Sequence, residues 1–382
     1  MFTNLEELKN INMKKVNEKK KKIVFCGGHH TSSLPIIDKL IDSKEYDIVF
    51  VGRKRAFSDD KNDSLEFIDI HKRNIKFYNL KTGKFYGKSI ISLFKILYGF
   101  FDSFIILVKE RPNLIVSFGG YIAVPLVIIG FLLRIKIITH EQTVVTGFGN
   151  KIVSFFADRV LLTWKSSEHF FPKHKTKLVG LPLRKVFFKK EYEKFEVNKN
   201  LPTIFITCGK TGSHVINEFV LKNLSDLLKN FNLIHQAGDY SVTNDYSNLS
   251  LIKNSLDGKV AGKYHLFKFM FDEEVNNAFN TCDFIVSRSG AHTIYEILHF
   301  KKKAILIPIP WVSYNEQYLN AKIVYDLGIG LILEESSLNY ENFELYTKKI
   351  LVKEIPQQTL DRDLIVRDSE ELFINEIKKL LK

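Results

Sequence analysis

Short apolar runs, rich in β-branched residues and each followed by a stretch long enough for a helix, recur along this chain: "KIVFC" (22–26), "YDIVFVG" (46–52), "NLIVSFGG" (113–120), "IKIITHEQ" (135–142), "RVLLTW" (159–164) and "TKLVG" (176–180). A strand that is apolar at nearly every position is buried on both faces, and a parallel sheet crossed by helices on both sides buries it in that way. The rhythm breaks at the charged stretch "RKVFFKKEYEKFEVNKN" (184–200) and resumes with "TIFITCG" (203–209), "NLIHQAG" (232–238), "DFIVSRSG" (283–290) and "KAILIPIP" (303–310). The pattern predicts an α/β protein of two tandem Rossmann-like domains with parallel sheets facing across a cleft. The divisions fall at a basic amino-terminal segment (1–22), a first domain (23–185), a second domain (186–360) and a helical tail (361–382).

The 382 residues exceed what one core supports, in keeping with two domains. A net charge of +13 favours anionic partners: a nucleotide, an acidic membrane surface or a nucleic acid. No nucleic-acid recognition motif accompanies the charge, so no nucleic-acid partner is expected. Cys26, Cys208 and Cys282 each sit in an apolar run without ligand spacing, which reads as reduced thiols rather than a metal site or a disulfide framework. Residues 1–22 lack the apolar core of a signal peptide, and "YIAVPLVIIGFLL" (121–133) is short of the ~20 residues of a membrane span and contains Pro125. The expectation is a cytoplasmic chain.

In doubly wound sheets the chemistry gathers in the loops at the carboxyl ends of the strands. The unusual residues of this sequence lie there. After the first strand comes "GGHHTSS", a glycine turn with two histidines leading into a helix. "SRSGAHTIYEI" places Ser289 and Gly290 at a helix start, where free N–H groups and the positive dipole end suit a diphosphate, with Arg288 adding full charge. Glu296, farther along that helix, can accept both hydroxyls of a ribose. Gln317 and Asn320, three apart on one helix, can bond sugar hydroxyls. "CGKTGSHVIN" is a second strand-to-helix turn, with Lys210 between Gly209 and Gly212. "DRD" (361–363) matches an Asp-x-Asp metal signature only formally, because it lies in a charged tail, so no metal and no cofactor is expected.

Taken in order, "GGYIAVP", "HEQTVVTGFGNK", "HQAG", "SRSGAHTIYEI" and "EQYLNA", with the lesser "IKFYNLKTGK" (75–84) and "GLPLR" (180–184), resemble the MurG family of N-acetylglucosaminyltransferases from about residue 22 to 335. The resemblance implies a GT-B fold and conversion of lipid I to lipid II in peptidoglycan synthesis. It also implies UDP-N-acetylglucosamine as donor on the second domain and a membrane-bound polyprenyl-diphosphate acceptor on the first, with inversion without a metal. By motif, Glu296 would hold the uridine ribose and Arg184 would lie near the nucleotide. Arg288 with Ser289, Gly290, His292 and Thr293 would meet the diphosphate, and Gln317 with Asn320 the donor sugar. Lys210, beside Gly209 and Gly212, stands where the family usually has serine. On the acceptor side the matches are Gly27, Gly28, Gly120 and Tyr121, then His140, Glu141, Thr143 and Asn150, with Thr143 in place of the usual asparagine. The first loop departs most. The family pattern is GGTGGH, and here Ser32 stands at its histidine. The catalytic base therefore falls to His30, the nearer, or to His29, with Glu141 as the next candidate.

Such an acceptor implies contact with a bilayer. "SIISLFKILYGFFDSFIILVK" (89–109) reads as a helix apolar over most of its circumference, with a narrow polar stripe of Ser92, Lys95, Gly99 and Asp102. Its exposed part, including Phe100 and Phe101 and flanked by Lys88 and Lys109, would dock on anionic lipid, making the protein peripheral on the inner face of the membrane. Three other readings stay open: a related transferase for another lipid-linked acceptor, a UDP-sugar 2-epimerase, which would need acidic cleft residues the sequence does not place, and a non-catalytic nucleotide-sugar-binding subunit.

Overall fold

The computed structural model describes residues 20–28, 30–55, 63–83, 90–189, 191–209, 212–239, 242–256 and 258–382, without the side chains of 90–93 and Ser313. The first sheet holds β1 (Lys21–Cys26), β2 (Tyr46–Gly52), β3 (Lys76–Asn79), β4 (Leu114–Ser117), β5 (Lys136–Glu141), β6 (Arg159–Leu162) and β7 (Thr176–Leu178), in the order β3-β2-β1-β4-β5-β6-β7. The second holds β8 (Thr203–Thr207), β9 (Asn232–Gln236), β10 (Tyr264–Phe267), β11 (Phe284–Ser287), β12 (Lys303–Leu306) and β13 (Gly330–Ile332), in the order β10-β9-β8-β11-β12-β13. Neighbouring strands pair in parallel throughout.

The central strands are those the apolar runs predict. Three others, β3, β10 and β13, do not stand out in the sequence, because each lies at a sheet edge. There one flank is solvent, and "KFYN", "YHLF" and "GLI" carry less apolar weight than a central strand needs.

The helices around the first sheet are α1 (His30–Ser43), α2 (Leu65–Lys72), α3 (Ile90–Glu110), α4 (Ala123–Leu132) and α5 (Phe148–Phe156). After β8 come α6 (His214–Asn230), α7 (Asp245–Leu256), α8 (Asp272–Thr281), α9 (Ala291–Phe300), α10 (Glu316–Asp326), α11 (Tyr340–Val352), the single turn α12 (Gln357–Leu360) and α13 (Ser369–Leu381).

Helix α13 is no loose tail. Its Phe373, Ile374 and Ile377 join Ile23, Phe25 and Phe118 in the core of the first sheet, and the Phe373 ring stacks on Phe118 at 5.5 Å. The outbound crossing between the sheets lies at Gly180, earlier than the expected division at 185, since Val179 packs with the first sheet and Leu181 with the second. The returning chain meets it there. Gly180 has φ +79°, and a Cβ at this position would lie 2.4 Å from Ser369 Oγ and 2.6 Å from Tyr295 Oη, so only glycine fits. The Val366 amide donates to Tyr295 Oη at 2.9 Å, closing the crossing.

Helix α3 differs from the expected stripe. Gly99 and Ser103 turn inward with Ile106 and Leu107, Gly99 against Thr82, whereas Phe94, Leu97, Tyr98, Phe101, Phe104, Ile105 and Val108 are exposed. The small residues let the helix approach the protein, so the aromatic residues are left outside. Phe100 is only half-exposed. Lys88 and the Ser92 side chain lie outside the described residues. No described helix is long and apolar enough to cross a membrane.

Candidate active site

The strand order of each sheet reverses once, between β1 and β4 and between β8 and β11. A reversal sends successive crossovers to opposite faces and opens a crevice at the carboxyl ends of the strands. The loops from the two crevices meet across a cleft of about 820 Å³, lined on one side by Gly28, His30 and Thr31 and on the other by residues of the second sheet.

On the first side, the turn after β1 lies flat on the turn after β4. Gly27 has φ +125°, and a Cβ there would sit 2.7 Å from the Phe118 carbonyl carbon, while the Gly28 amide donates to the Gly119 carbonyl at 3.1 Å. Gly120 belongs to the same turn. His30 opens α1 with its Nε2 3.2 Å from Asp69 Oδ2 on α2, a carboxylate that can fix the ring. Two residues on, the fully buried Ser32 places Oγ 2.6 Å from Nε2 of His292 on α9, in the opposite domain. His29 lies outside the described residues.

The remaining acceptor candidates turn inward. Tyr121 accepts a hydrogen bond from Arg53 Nη1 at 2.7 Å and does not line the cleft. His140, expected at the acceptor, is fully buried between Phe118 and Phe373, with Nε2 3.0 Å from the Gly180 carbonyl. That placement corrects the expectation: the apolar contacts of α13 hold the ring in the core, where it braces the domain crossing. Glu141 Oε1 accepts from the Thr143 amide at 3.1 Å and from its hydroxyl at 3.0 Å, and Oε2 accepts from Asn150 Nδ2 at 3.2 Å. Asn150 Oδ1 in turn accepts from Thr139 at 3.1 Å. Thr143 and Asn150 therefore hold Glu141. Burial pushes the Glu141 carboxyl up to about 7 against these bonds, and the Glu316 carboxylate adds to the rise.

On the second side, Glu296 lines the cleft, and its Oε1 is 3.8 Å from Arg184 Nε. Arg184 also reaches Asp272 at 3.1 Å, so this edge of the cleft has a fixed guanidinium beside the carboxylate. Arg288 lines the cleft floor with its donors engaged by Ser213 Oγ at 3.1 Å, the Ile307 carbonyl at 3.0 Å and Glu335. It thereby holds the turn after β11 against the turn after β8. Gly290, His292 and Thr293 put the start of α9 in the cleft, and Gly209 and Gly212 put the glycine turn opposite it. Ser289 is buried just behind. Gln317 lines the cleft and accepts from the Ile309 amide at 3.1 Å, but Asn320 lies behind it, donating to the Ser289 carbonyl at 3.1 Å. The expected amide pair is thus split: Gln317 faces the cleft, and Asn320 supports the turn. Lys210 lies outside the described residues. His235 of "HQAG" is buried between Tyr264 and Asn217 and is pushed down to about 3 by burial, a neutral structural ring. "DRD" is exposed, with Asp363 paired to Arg367 at 2.7 Å.

The sequence reading leaves out three residues that the structure brings forward. Asp69 carries no local signal, because its partner is 39 positions away. Glu316, beside Gln317 in "NEQYLNA", lines the cleft and is raised by burial. Gln142, within "HEQ", is buried with neither polar atom of its amide bonded among the described residues.

Residues 26–162 match the glycosyltransferase family 28 N-terminal domain and residues 203–371 the glycosyltransferase family 28 C-terminal domain. The chain is 33% identical over 338 residues to the UDP-N-acetylglucosamine--N-acetylmuramyl-(pentapeptide) pyrophosphoryl-undecaprenol N-acetylglucosamine transferase of Clostridium perfringens, covering 85% of this chain and 88% of that one. It is 30% identical over 380 residues to the enzyme of the same name from Clostridium botulinum, covering 95% and 99%. Among solved structures, MurG of Acinetobacter baumannii superposes with a TM-score of 0.68 at 20% identity, covering 94% of this chain and 99% of that one. The UDP-GlcNAc 2-epimerase of Neisseria meningitidis, bound to UDP-GlcNAc, superposes with a TM-score of 0.55 at 12% identity, covering 94% and 100%. The architecture is GT-B.

Proposed function

The chain belongs to the MurG family, within glycosyltransferase family 28, and from that premise we propose how its two sheets divide the reaction. It is a UDP-N-acetylglucosamine-dependent hexosyltransferase that transfers N-acetylglucosamine to lipid I, giving lipid II for peptidoglycan synthesis. The donor lies on the second sheet. Its ribose bonds Glu296, with Arg184 beside the nucleotide; its diphosphate meets the α9 start and the glycine turn after β8; its sugar meets Gln317. Arg288 and Asn320 keep those turns in place. The acceptor diphosphate lies against the Gly27, Gly28 and Gly120 turns, with Tyr121 and the Glu141–Thr143–Asn150 network behind it.

The acceptor hydroxyl attacks the anomeric carbon in line. A new carbon–oxygen bond forms as the bond to the β-phosphate breaks, and that electron pair leaves on UDP. His30, oriented by Asp69, takes the hydroxyl proton, and the α9 dipole meets the charge that develops on the diphosphate. The observation that carries this reading is the facing of His30 and the α9 start, with Glu296 behind, across one cleft. The apolar faces of α3, α4 and α5, with Phe101, Phe131 and Phe155 exposed, dock on the anionic inner face of the membrane. Arg134, Lys136 and Lys175 line a cavity of about 600 Å³ next to Phe131 and Phe155, supplying the charge for that contact.

The test is incubation of the purified protein with UDP-N-acetylglucosamine and lipid I, with the product identified by mass. Lipid II is the expected product. UDP release without transfer, or epimerised donor, would overturn the reading.

A further inference from the structure

Helices α1 and α9 begin on opposite sides of the cleft, and their first turns touch. Ser32 Oγ lies 2.6 Å from His292 Nε2, so the bond joins the two sheets through residues 260 positions apart. Ser32 is fully buried and shares its turn with His30, and His292 lies one residue inside the start of α9. The family resemblance puts a histidine at position 32; here a serine stands there, and an imidazole reaches it from the other domain.

Other side chains also bridge the domains. Lys72 lies over the Phe271 ring at 4.5 Å, and Lys185 is 3.6 Å from Asp42. The ion pair is largely exposed, and such pairs contribute little once solvent screens them. The Ser32–His292 bond is different, because opening the cleft would expose both groups and exchange their bond for bonds to water. Two helix N-termini brought together also repel, a repulsion that an anion between them relieves. The donor diphosphate is such an anion.

We propose that Ser32 and His292 form a catch, half from each domain, that holds His30 at a fixed separation from the donor seat at the start of α9. This rests on the roles given above to His30 and α9. The pair acts through the alignment of other groups and is a positioning element of the transfer.

The test uses the full chain with Ser32→Ala, His292→Ala, His292→Gln and the Ser32→Ala/His292→Ala double variant, measuring kcat, KM for UDP-N-acetylglucosamine and UDP affinity. Spin labels at Glu45→Cys and Lys222→Cys, exposed on opposite domains, report the separation of the domains with UDP bound. Ser32→Ala should lower kcat by about 10- to 100-fold, the scale of a misaligned reacting group, with UDP affinity within about three-fold. The double variant should be no slower than the slower single variant. His292→Gln, whose amide nitrogen reaches about as far as Nε2, should recover much of the rate lost in His292→Ala. The label distance should lengthen or broaden in Ser32→Ala. Unchanged kcat in Ser32→Ala, multiplying effects in the double variant, or an unchanged label distance would overturn the catch. If the unsubstituted chain transferred no sugar, the label distances would still decide for or against the catch, and only the reaction reading would fall.

Discussion

His30 Nε2 lies 3.2 Å from Asp69 Oδ2, and both side chains are largely buried at the rim of the cleft. A carboxylate on one ring nitrogen fixes the tautomer and the orientation of the ring. His30→Ala should lower kcat by about 10² to 10⁴, the usual cost of losing a general base, with UDP affinity nearly intact. Asp69→Asn should cost less, because the ring stays and only its orientation loosens. Initial rates with lipid I, set beside UDP calorimetry, check both. Full turnover in His30→Ala would pass the role to another group.

Glu296 sits against Arg184 at 3.8 Å and is nine-tenths buried at the cleft wall. Glu296→Ala should weaken UDP about ten-fold or more, since charge-assisted hydrogen bonds to hydroxyls are worth about 1.5 to 3 kcal/mol. Arg184 retains Asp272, so the fold should survive. Calorimetry with UDP and an unfolding curve separate loss of binding from loss of structure.

Phe101 is 61% exposed and Phe94 67% on the outer face of α3. Replacing both with serine should weaken binding to anionic vesicles, by roughly ten-fold for each side chain that enters the lipid. Raised salt should weaken it further by screening the basic residues nearby. Vesicle sedimentation over a salt series measures both effects. Unchanged sedimentation of the double variant would remove α3 from the membrane contact.

Glu66 is half-buried, with its carboxyl Oε1 shut from solvent beside Gly52, and this desolvation pushes the carboxyl from the ordinary 4.5 up to about 8, although the Arg53 amide donates to it at 3.4 Å. The folded chain therefore binds a proton that the unfolded chain releases between those values. Stability from this group is fully present below about pH 4.5 and is lost as pH rises toward 8. Glu66→Gln should thus gain on the unsubstituted protein as pH rises from 5 to 8, by an amount on the order of a few kcal/mol. Denaturant unfolding at the two pH values gives the difference. A gap that stayed constant with pH would contradict the buried neutral carboxyl.

Much of the fold is legible in the sequence because burial on both faces forces continuous apolar runs, and β1, β4, β8 and β11 are such runs. The turn at Gly27 is legible for a related reason: it needs a residue type that few others can replace. The relationships that complete the cleft are not local. Asp69 meets His30, and His292 meets Ser32, only after the sheets have folded; Asp69 carries no mark of its own in the sequence, and the motif that holds His292 points it to the diphosphate and not to Ser32. His140 shows the converse. Its motif points to the acceptor, but the rings of Phe118 and Phe373 decide which way it faces, and Phe373 lies far outside that motif. On α3 the periodicity finds a stripe but cannot say which side the protein covers. Gly99 against Thr82 decides that.

The order in which the chain is made adds a last consequence. Helix α13 comes after every strand of both sheets, yet its Phe373, Ile374 and Ile377 fill the core beneath β1 and β4. While a ribosome is still translating the second sheet, the first has emerged with Phe25, Leu114 and Phe118 uncovered on that face. The amino-terminal half therefore cannot reach its native stability before α13 is made, and it stays open to chaperones, proteases and misassociation until that helix returns past Gly180 and docks.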